Sequence, residues 1–143
     1  MDEIIRDALV CHLALAKDGQ PYVVPLSFGY DGEALYFHTA PEGKKIEYFQ
    51  SNPQVCFQFE CGVELRRDPV TACKWTFTFE SVIGYGRVAE LLEPADKQLA
   101  LNEIMLHYSG KAWAMDDTSI SHVRVWKIAI TSLTGKQSKP PPG

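Results

Sequence analysis

Apolar and polar residues alternate along several short stretches of this chain, and a period of two predicts β-strands. Turn-forming residues separate these stretches. The Asp18-Gly19 and Asp31-Gly32 pairs tolerate positive φ and are typical of tight hairpins. Pro25 cannot donate to a strand ladder, so its strand is expected at a sheet edge or a bulge. The six predicted strands span residues 10–16, 21–29, 34–39, 54–60, 73–92 and 122–131.

Three stretches have the longer period of a helix. Residues 1–10 place Ile4, Ile5, Ala8 and Leu9 on one helical face. A short helix over 44–51 begins after Pro41-Glu42-Gly43, and a longer one begins at Pro94 and runs to about residue 108. The remaining polar segments, 61–72 and 111–121, are predicted to be loops.

Six strands, hairpin turns and short helices together predict a β-dominated fold, an antiparallel β-barrel. The bend that a barrel requires is expected at Gly84 and Gly86, because glycine weakens a straight strand. A chain of 143 residues is long enough for one core. We therefore expect a single domain over 1–136 and a proline-rich tail over 137–143.

Net charge and the distribution of apolar residues argue against nucleic-acid binding, a membrane helix and a signal peptide. A net charge of −4 disfavours non-specific nucleic-acid binding, which depends on clustered Lys and Arg. No apolar stretch reaches the length of about 18 residues that a membrane helix needs. The charged first residues lack the apolar region of a signal peptide, which predicts a cytoplasmic protein.

The cysteines and histidines do not predict a metal site. Cys56 and Cys61 are five residues apart and no C-x-x-C motif occurs, whereas structural zinc sites usually have closer ligand pairs. A cytoplasmic location also argues against disulfides. The four histidines are scattered, and His12, inside a strand, is expected to be structural.

The segment from Leu35 to Lys45 is the most informative for chemistry. A strand ends in His38 and Thr39, a tight turn follows, and Lys44 and Lys45 open a helix. Free backbone N–H groups, a hydroxyl and two cations at one place suit a phosphate monoester. A solvated basic helix start after an ordinary turn explains the same residues, and the pattern alone leaves both readings open. No G-x-G-x-x-G follows a strand, so a Rossmann site is not supported.

The chain resembles the FMN-binding split-barrel superfamily related to pyridoxamine 5′-phosphate oxidase, and within it the branch named for 5-nitroimidazole resistance (Nim-type proteins). Three blocks carry the resemblance: P-Y-V-V-P-L-S-F-G-Y at 21–30, L-Y-F-H-T-A-P-E-G-K-K at 35–45, and S-V-I-G-Y-G at 81–86. The resemblance implies a six-stranded antiparallel split β-barrel that forms a homodimer with FMN at the subunit interface. Relatives that bind haem or a deazaflavin leave those two cofactors as alternatives.

The resemblance also implies which residues contact FMN. The strand-to-helix block would hold the phosphate and ribityl chain, with His38 as a donor or proton carrier at the pocket. The preceding strand would lie along the ring, and the long strand would reach the cofactor from the second subunit at Ser81, where related oxidases often have glutamine. The expected cofactor-binding residues are Val24, Pro25, Leu26, Ser27, Phe28, His38, Thr39, Lys44, Lys45 and Ser81. Trp113, in the loop before the last strand, is a substrate-side candidate.

Two functions follow from these expectations. The first is an FMN-dependent oxidoreductase that reduces a small, planar, electron-poor molecule, as a nitroimidazole reductase does, with His38 as the catalytic candidate. The second is a flavin- or haem-binding module that stores or sequesters its ligand without turnover. Oxidation of pyridoxamine phosphate is not expected, because the substrate-binding arginine and histidine of those oxidases have no match before the end of the chain.

Overall fold

Antiparallel strands dominate the computed structural model, which describes residues 1–138. The strands are β1 (Cys11–Lys17), β2 (Gln20–Leu26), β3 (Gly29–Tyr30), β4 (Ala34–Thr39), β5 (Gln54–Arg66), β6 (Thr76–Leu91) and β7 (Arg124–Gln137). The helices are α1 (Asp2–Asp7), α2 (Lys44–Ser51), α3 (Pro94–Ser109) and α4 (Asp117–Ser121). The strands form one sheet in the order β2-β1-β5-β6-β7-β4-β3.

The second predicted strand is interrupted, and its two parts pair with opposite ends of the sheet. The predicted strand over 21–29 ends at Leu26, and β3 begins at Gly29, after the two intervening residues Ser27 and Phe28. β2 pairs with β1 at one end of the sheet, whereas β3 pairs with β4 at the other end. Ser27 and Phe28 therefore link the two sheet ends covalently. The predicted fold class is confirmed, but the strand count of six is wrong because this break makes seven.

Long-range pairing also moves several boundaries. The prediction of a loop over 61–72 is wrong in its first half, because β5 continues to Arg66 through a bulge between Cys61 and Glu64. Gly62 has φ +64° there, a conformation that favours glycine. The last strand likewise runs to Gln137 rather than 131 because β6 pairs with its whole length. Within the predicted loop over 111–121, α4 forms.

The first two residues of the predicted tail, Gln137 and Ser138, are hydrogen-bonded to the sheet. Gln137 is the last residue of β7, and the Ser138 N–H donates to the Phe79 carbonyl over 2.9 Å. The Ser138 hydroxyl in turn accepts from the Phe79 N–H at 2.6 Å. These bonds attach both residues to the sheet. The rest of the predicted tail, 139–143, lies outside the described residues.

Aliphatic and aromatic side chains together fill the barrel interior. Phe37, Phe57 and Phe59 are each no more than 1% exposed. α2 closes one end of the barrel, where Phe49 packs 5.4 Å from Phe37 and 5.3 Å from Trp126 between ring centroids. α3 packs against β3, β4 and β7. No helix in residues 1–138 combines the length and the apolarity needed to cross a membrane.

Candidate functional site

The turn between β4 and α2 presents an open helix N-terminus. Gly43 precedes α2, and its carbonyl accepts the first helical bonds from the N–H groups of Ile46 and Glu47. No side chain among the described residues caps this end. A Cβ added at Gly43 would have nothing within 4 Å, so the backbone faces open space. Free N–H groups with the positive end of the helix dipole are what a phosphate requires.

Lys45 and His38 lie beside this helix start. β4 alternates as predicted, with Phe37 and Thr39 buried and His38 exposed on the opposite face. The pKa of His38 is lowered by partial burial of its ring and then by the positive charge of Lys45. The imidazole is therefore neutral at neutral pH, with one ring nitrogen as donor and the other as acceptor. A cation and a neutral donor thus flank the open N–H groups.

Lys44 takes a different direction from Lys45. Its Nζ lies 4.5 Å from the centre of the Tyr22 ring and 5.9 Å from that of Tyr48. The two tyrosine rings are themselves 5.2 Å apart between centroids. This cation–π cluster holds the Lys44 ammonium against β2 and α2. The two neighbouring lysines are consequently not equivalent as phosphate ligands.

The hydroxyl of Thr39 is engaged inside the barrel. Thr39 is 6% exposed, and its Oγ1 donates to the Ala40 carbonyl at 2.8 Å. The same oxygen accepts from the Trp126 Nε1–H at 3.0 Å. A hydroxyl has one proton, so none remains for a phosphate oxygen. The geometry gives Thr39 a structural role in the turn, and its predicted contact with FMN remains untested.

Arg124 stabilises the same turn, and the sequence patterns did not indicate it. Its Nε and Nη2 donate to the two carboxylate oxygens of Glu90 at 2.9 and 2.7 Å, and Nη1 donates to the Pro41 carbonyl at 3.0 Å. The hydrogen bonds from Arg124 lower the pKa of Glu90, and the same pairing raises that of Arg124. The bidentate Arg124–Glu90 salt bridge thus holds the arginine where it can bind the Pro41 carbonyl in the turn that leads into α2. Glu90 and Arg124 are 34 residues apart, so no local pattern could have paired them.

The predicted ring-contact strand exposes only part of its residues. Pro25 and Ser27 are exposed and Val24 is half-buried. Leu26 is 8% exposed and Phe28 only 1%, so both side chains belong to the core. The Phe28 N–H donates to the Tyr108 hydroxyl at 3.2 Å. Any contact of Leu26 or Phe28 with a ring would therefore come from backbone atoms.

Ser81 and Trp113 lie in other parts of the molecule. Ser81 is 6% exposed and stands in register with Glu60 on β5 and Lys136 on β7. Trp113 packs at the end of α3, where its indole N–H donates to the Ser109 hydroxyl at 2.9 Å. Its backbone N–H donates to Asn102 at 2.7 Å. The flavin role of Ser81 and the substrate role of Trp113 stay predictions.

Residues 1–138 contain no group of three or more His, Cys, Asp or Glu side chains arranged to hold a metal ion. The features that the structure brings together are the open start of α2, Lys45, His38 and the turn held by Arg124. These features fit a phosphate monoester, the ligand that we predicted for the segment from Leu35 to Lys45.

Comparison with known proteins agrees with this fold. Residues 1–137 match the sequence model of the family described as pyridoxamine 5′-phosphate oxidase. The chain belongs to this family. The solved structure of a proposed 5-nitroimidazole antibiotic resistance protein from Bacteroides thetaiotaomicron is 36% identical to this chain. The alignment covers 94% of this chain and 80% of that one, with a TM-score of 0.82.

Two further solved structures share the fold of this pyridoxamine 5′-phosphate oxidase relative. A FAD-binding protein from Mesorhizobium loti is 28% identical over 96% of this chain and 92% of that one, with a TM-score of 0.69. A flavocytochrome from Azotobacter vinelandii is 20% identical over 99% of this chain and 67% of that one, with a TM-score of 0.83.

A sequence relative covers only part of the chain. An uncharacterized protein from Rhizobium meliloti strain 1021 is 41% identical over 49 residues. That match covers 34% of this chain and only 32% of the relative.

Proposed function

We propose that this protein binds FMN, with the phosphate at the start of α2, and uses it to reduce a small, planar, electron-poor molecule. The observation that carries the proposal is the uncapped start of α2, with Gly43 open to solvent and Lys45 beside it. Two relatives support a flavin cofactor and this class of substrate. One is named for 5-nitroimidazole resistance and another for FAD binding.

The residues of the chain bind and orient, whereas bound FMN supplies the electron transfer. The N–H groups of α2 and the Lys45 ammonium hold the phosphate. The exposed Pro25 and Ser27 give the ring an apolar wall and a hydroxyl. His38 is neutral at neutral pH, so it offers a hydrogen bond without adding charge beside the phosphate. Lys45 therefore supplies the positive charge at this end of the site.

Identification of the bound cofactor tests this proposal directly. We expect purified protein to have flavin absorbance bands and to release FMN on denaturation, as seen by mass spectrometry. The molecular mass of the released cofactor distinguishes FMN from FAD and from a deazaflavin. A Soret band would instead support the haem-binding alternative. Protein that carries no chromophore and binds no added FMN would refute the flavin proposal.

We further propose that the protein is a homodimer with FMN at the subunit interface. The supporting feature is an exposed apolar stripe on the outer face of β5 and β6, formed by Leu65, Phe77, Ile83 and Tyr85. These side chains are 56%, 52%, 42% and 56% exposed. Phe77 and Leu65 are in register, and Ile83 and Tyr85 continue the same face of β6. Exposed apolar side chains along one strand face are typical of a surface that another protein covers, and a second copy is the occupant that we propose.

Charge placed on the stripe should break the dimer. We expect Ile83→Glu to elute as a monomer by light scattering, while the unchanged chain has twice the 16.0 kDa subunit mass. Because FMN is shared between subunits, the variant should also lose FMN binding. The matched control is Leu99→Glu on α3, which is 69% exposed and lies away from the stripe. A wild-type monomer that binds FMN fully would contradict a shared site.

A further inference from the structure

His12 lies on the outer face of the barrel, beside the strand predicted to face the flavin ring. It belongs to β1, in which Cys11, Leu13 and Leu15 alternate into the core, so the His12 side chain projects to the other side. Across the β1–β2 pair, His12 is in register with Pro25. Residues in register have side chains on the same face, about 5 Å apart between Cβ atoms. His12 is thus the immediate neighbour of a proposed ring contact.

Glu60 on β5 lies beside the imidazole of His12. Its Oε2 lies 3.5 Å from the His12 Nδ1, and the two side chains are 35% and 38% exposed. Nδ1 itself is shielded from solvent and has no hydrogen-bond partner among the described residues. The exposed part of the ring is therefore the remainder, which carries Nε2. With the Glu60 carboxylate beside Nδ1, Nε2 is the ring nitrogen left to reach a ligand on the outer face.

The surroundings leave Glu60 as the charged group that faces the imidazole. The residues in register with His12 are Pro25 on β2 and Gln58 on β5, and neither titrates. Glu60 is in register with Ser81 on β6. Because β1 is the neighbour of β2 in the sheet, the His12–Glu60 pair lies beside Pro25, the proposed flavin contact of the same subunit.

We propose that His12, beside Glu60, is the proton donor to the substrate of this flavin site. The inference rests on the proposed function. For a nitro compound, bound reduced FMN would supply the hydride, and Nε2 of His12 would donate the proton to the substrate. The added hydride and proton, together two electrons and two protons, convert the nitro group to a nitroso group and release one water. His12 regains its proton from solvent through its exposed ring edge.

Chemical footprinting tests the location without any turnover. Diethyl pyrocarbonate should modify His12 in the cofactor-free protein, and bound FMN should slow that reaction several-fold, as measured by peptide mass spectrometry. Inorganic phosphate occupies only the phosphate end and should leave the His12 reaction unchanged. Equal modification with and without bound FMN would overturn this inference and leave the flavin proposal standing. Shielding of His12 in the cofactor-free dimer would overturn it too, by assigning the pair to the subunit interface.

Imidazole rescue tests the chemical role. We expect His12→Ala to bind FMN normally but to slow the oxidation of bound, reduced FMN by a 5-nitroimidazole about 100-fold, a typical general-acid contribution. Added imidazole should restore part of the rate, because it replaces the missing proton donor. Glu60→Gln should slow the reaction less, and the exposed Glu93→Gln is the control that should not change it. Loss of FMN affinity with no rescue would mean a structural role for His12, and failure of the unchanged protein to bind FMN would refute the proposed function itself.

Discussion

Replacing Lys45 with alanine should weaken FMN binding about 10- to 100-fold, as expected for the loss of a charge-assisted hydrogen bond of ~1.5–3 kcal/mol. The affinity for riboflavin, which lacks the phosphate, should stay the same. The reason is local: Lys45 lies beside the open start of α2, close enough to His38 to lower the pKa of that imidazole. Fluorescence titration of the cofactor-free protein with each ligand measures both affinities.

The neighbouring lysine provides a matched control. Lys44→Ala removes the same charge one residue earlier, but the Lys44 ammonium lies over the Tyr22 ring. We expect it to weaken FMN only about two- to threefold, through the general electrostatic field of the site. A larger effect of Lys44→Ala than of Lys45→Ala would show that Lys44 leaves the tyrosine to bind phosphate. Equal losses for FMN and riboflavin would mean that the lysines stabilise the fold rather than the phosphate.

Replacing Gly29 with alanine should lower the free energy of unfolding by about 2–4 kcal/mol, the upper part of the range for overpacking. Gly29 forms half of the two-residue strand β3, against which α3 packs. An added Cβ would lie 2.5 Å from the carbonyl carbon of Glu103 and from the amide nitrogen of Ile104. Both are backbone atoms of α3, so the whole helix must move. Denaturant unfolding followed by circular dichroism measures the loss.

Gly135→Ala is the control for this substitution. A Cβ at Gly135 would lie 3.1 Å from the Met1 side chain, which is 55% exposed and can move, and at an ordinary contact distance of 3.8 Å from the Ser81 carbonyl oxygen. We expect a change within about 0.5 kcal/mol, as for most surface substitutions. If Gly29→Ala were equally mild, α3 would not be held as closely against β3 as the structure shows.

Local sequence patterns predicted the two elements that flank the candidate site, α2 and β4. The helix α2 has its predicted bounds because Pro41-Glu42-Gly43 interrupts the strand before it and Asn52-Pro53 ends it. The inward and outward residues of β4 follow from strand alternation, which placed Phe37 in the core and His38 outside. These features depend on neighbours within a few residues, so a linear pattern contains them.

Other features depend on residues far apart in the chain. The polar residues after Cys61 read as a loop, yet they form a strand because β6 supplies their hydrogen-bond partners. The break after Leu26 is stabilised by α3, whose Tyr108 hydroxyl accepts the Phe28 N–H from 80 residues away. Gly84 was expected to bend its strand, and the structure adds that a side chain there would overlap the Phe57 ring.

By itself, the sequence determined the fold class, the turn between β4 and α2 and the family resemblance, because each depends on short blocks of adjacent residues. Only the tertiary structure separated Lys45 from Lys44, bound the Thr39 hydroxyl to Ala40 and Trp126, and joined Arg124 to Glu90 and Pro41. It also placed Glu60 beside His12. The physical reason is that the direction and partners of a side chain depend on which strands and helices pack against it.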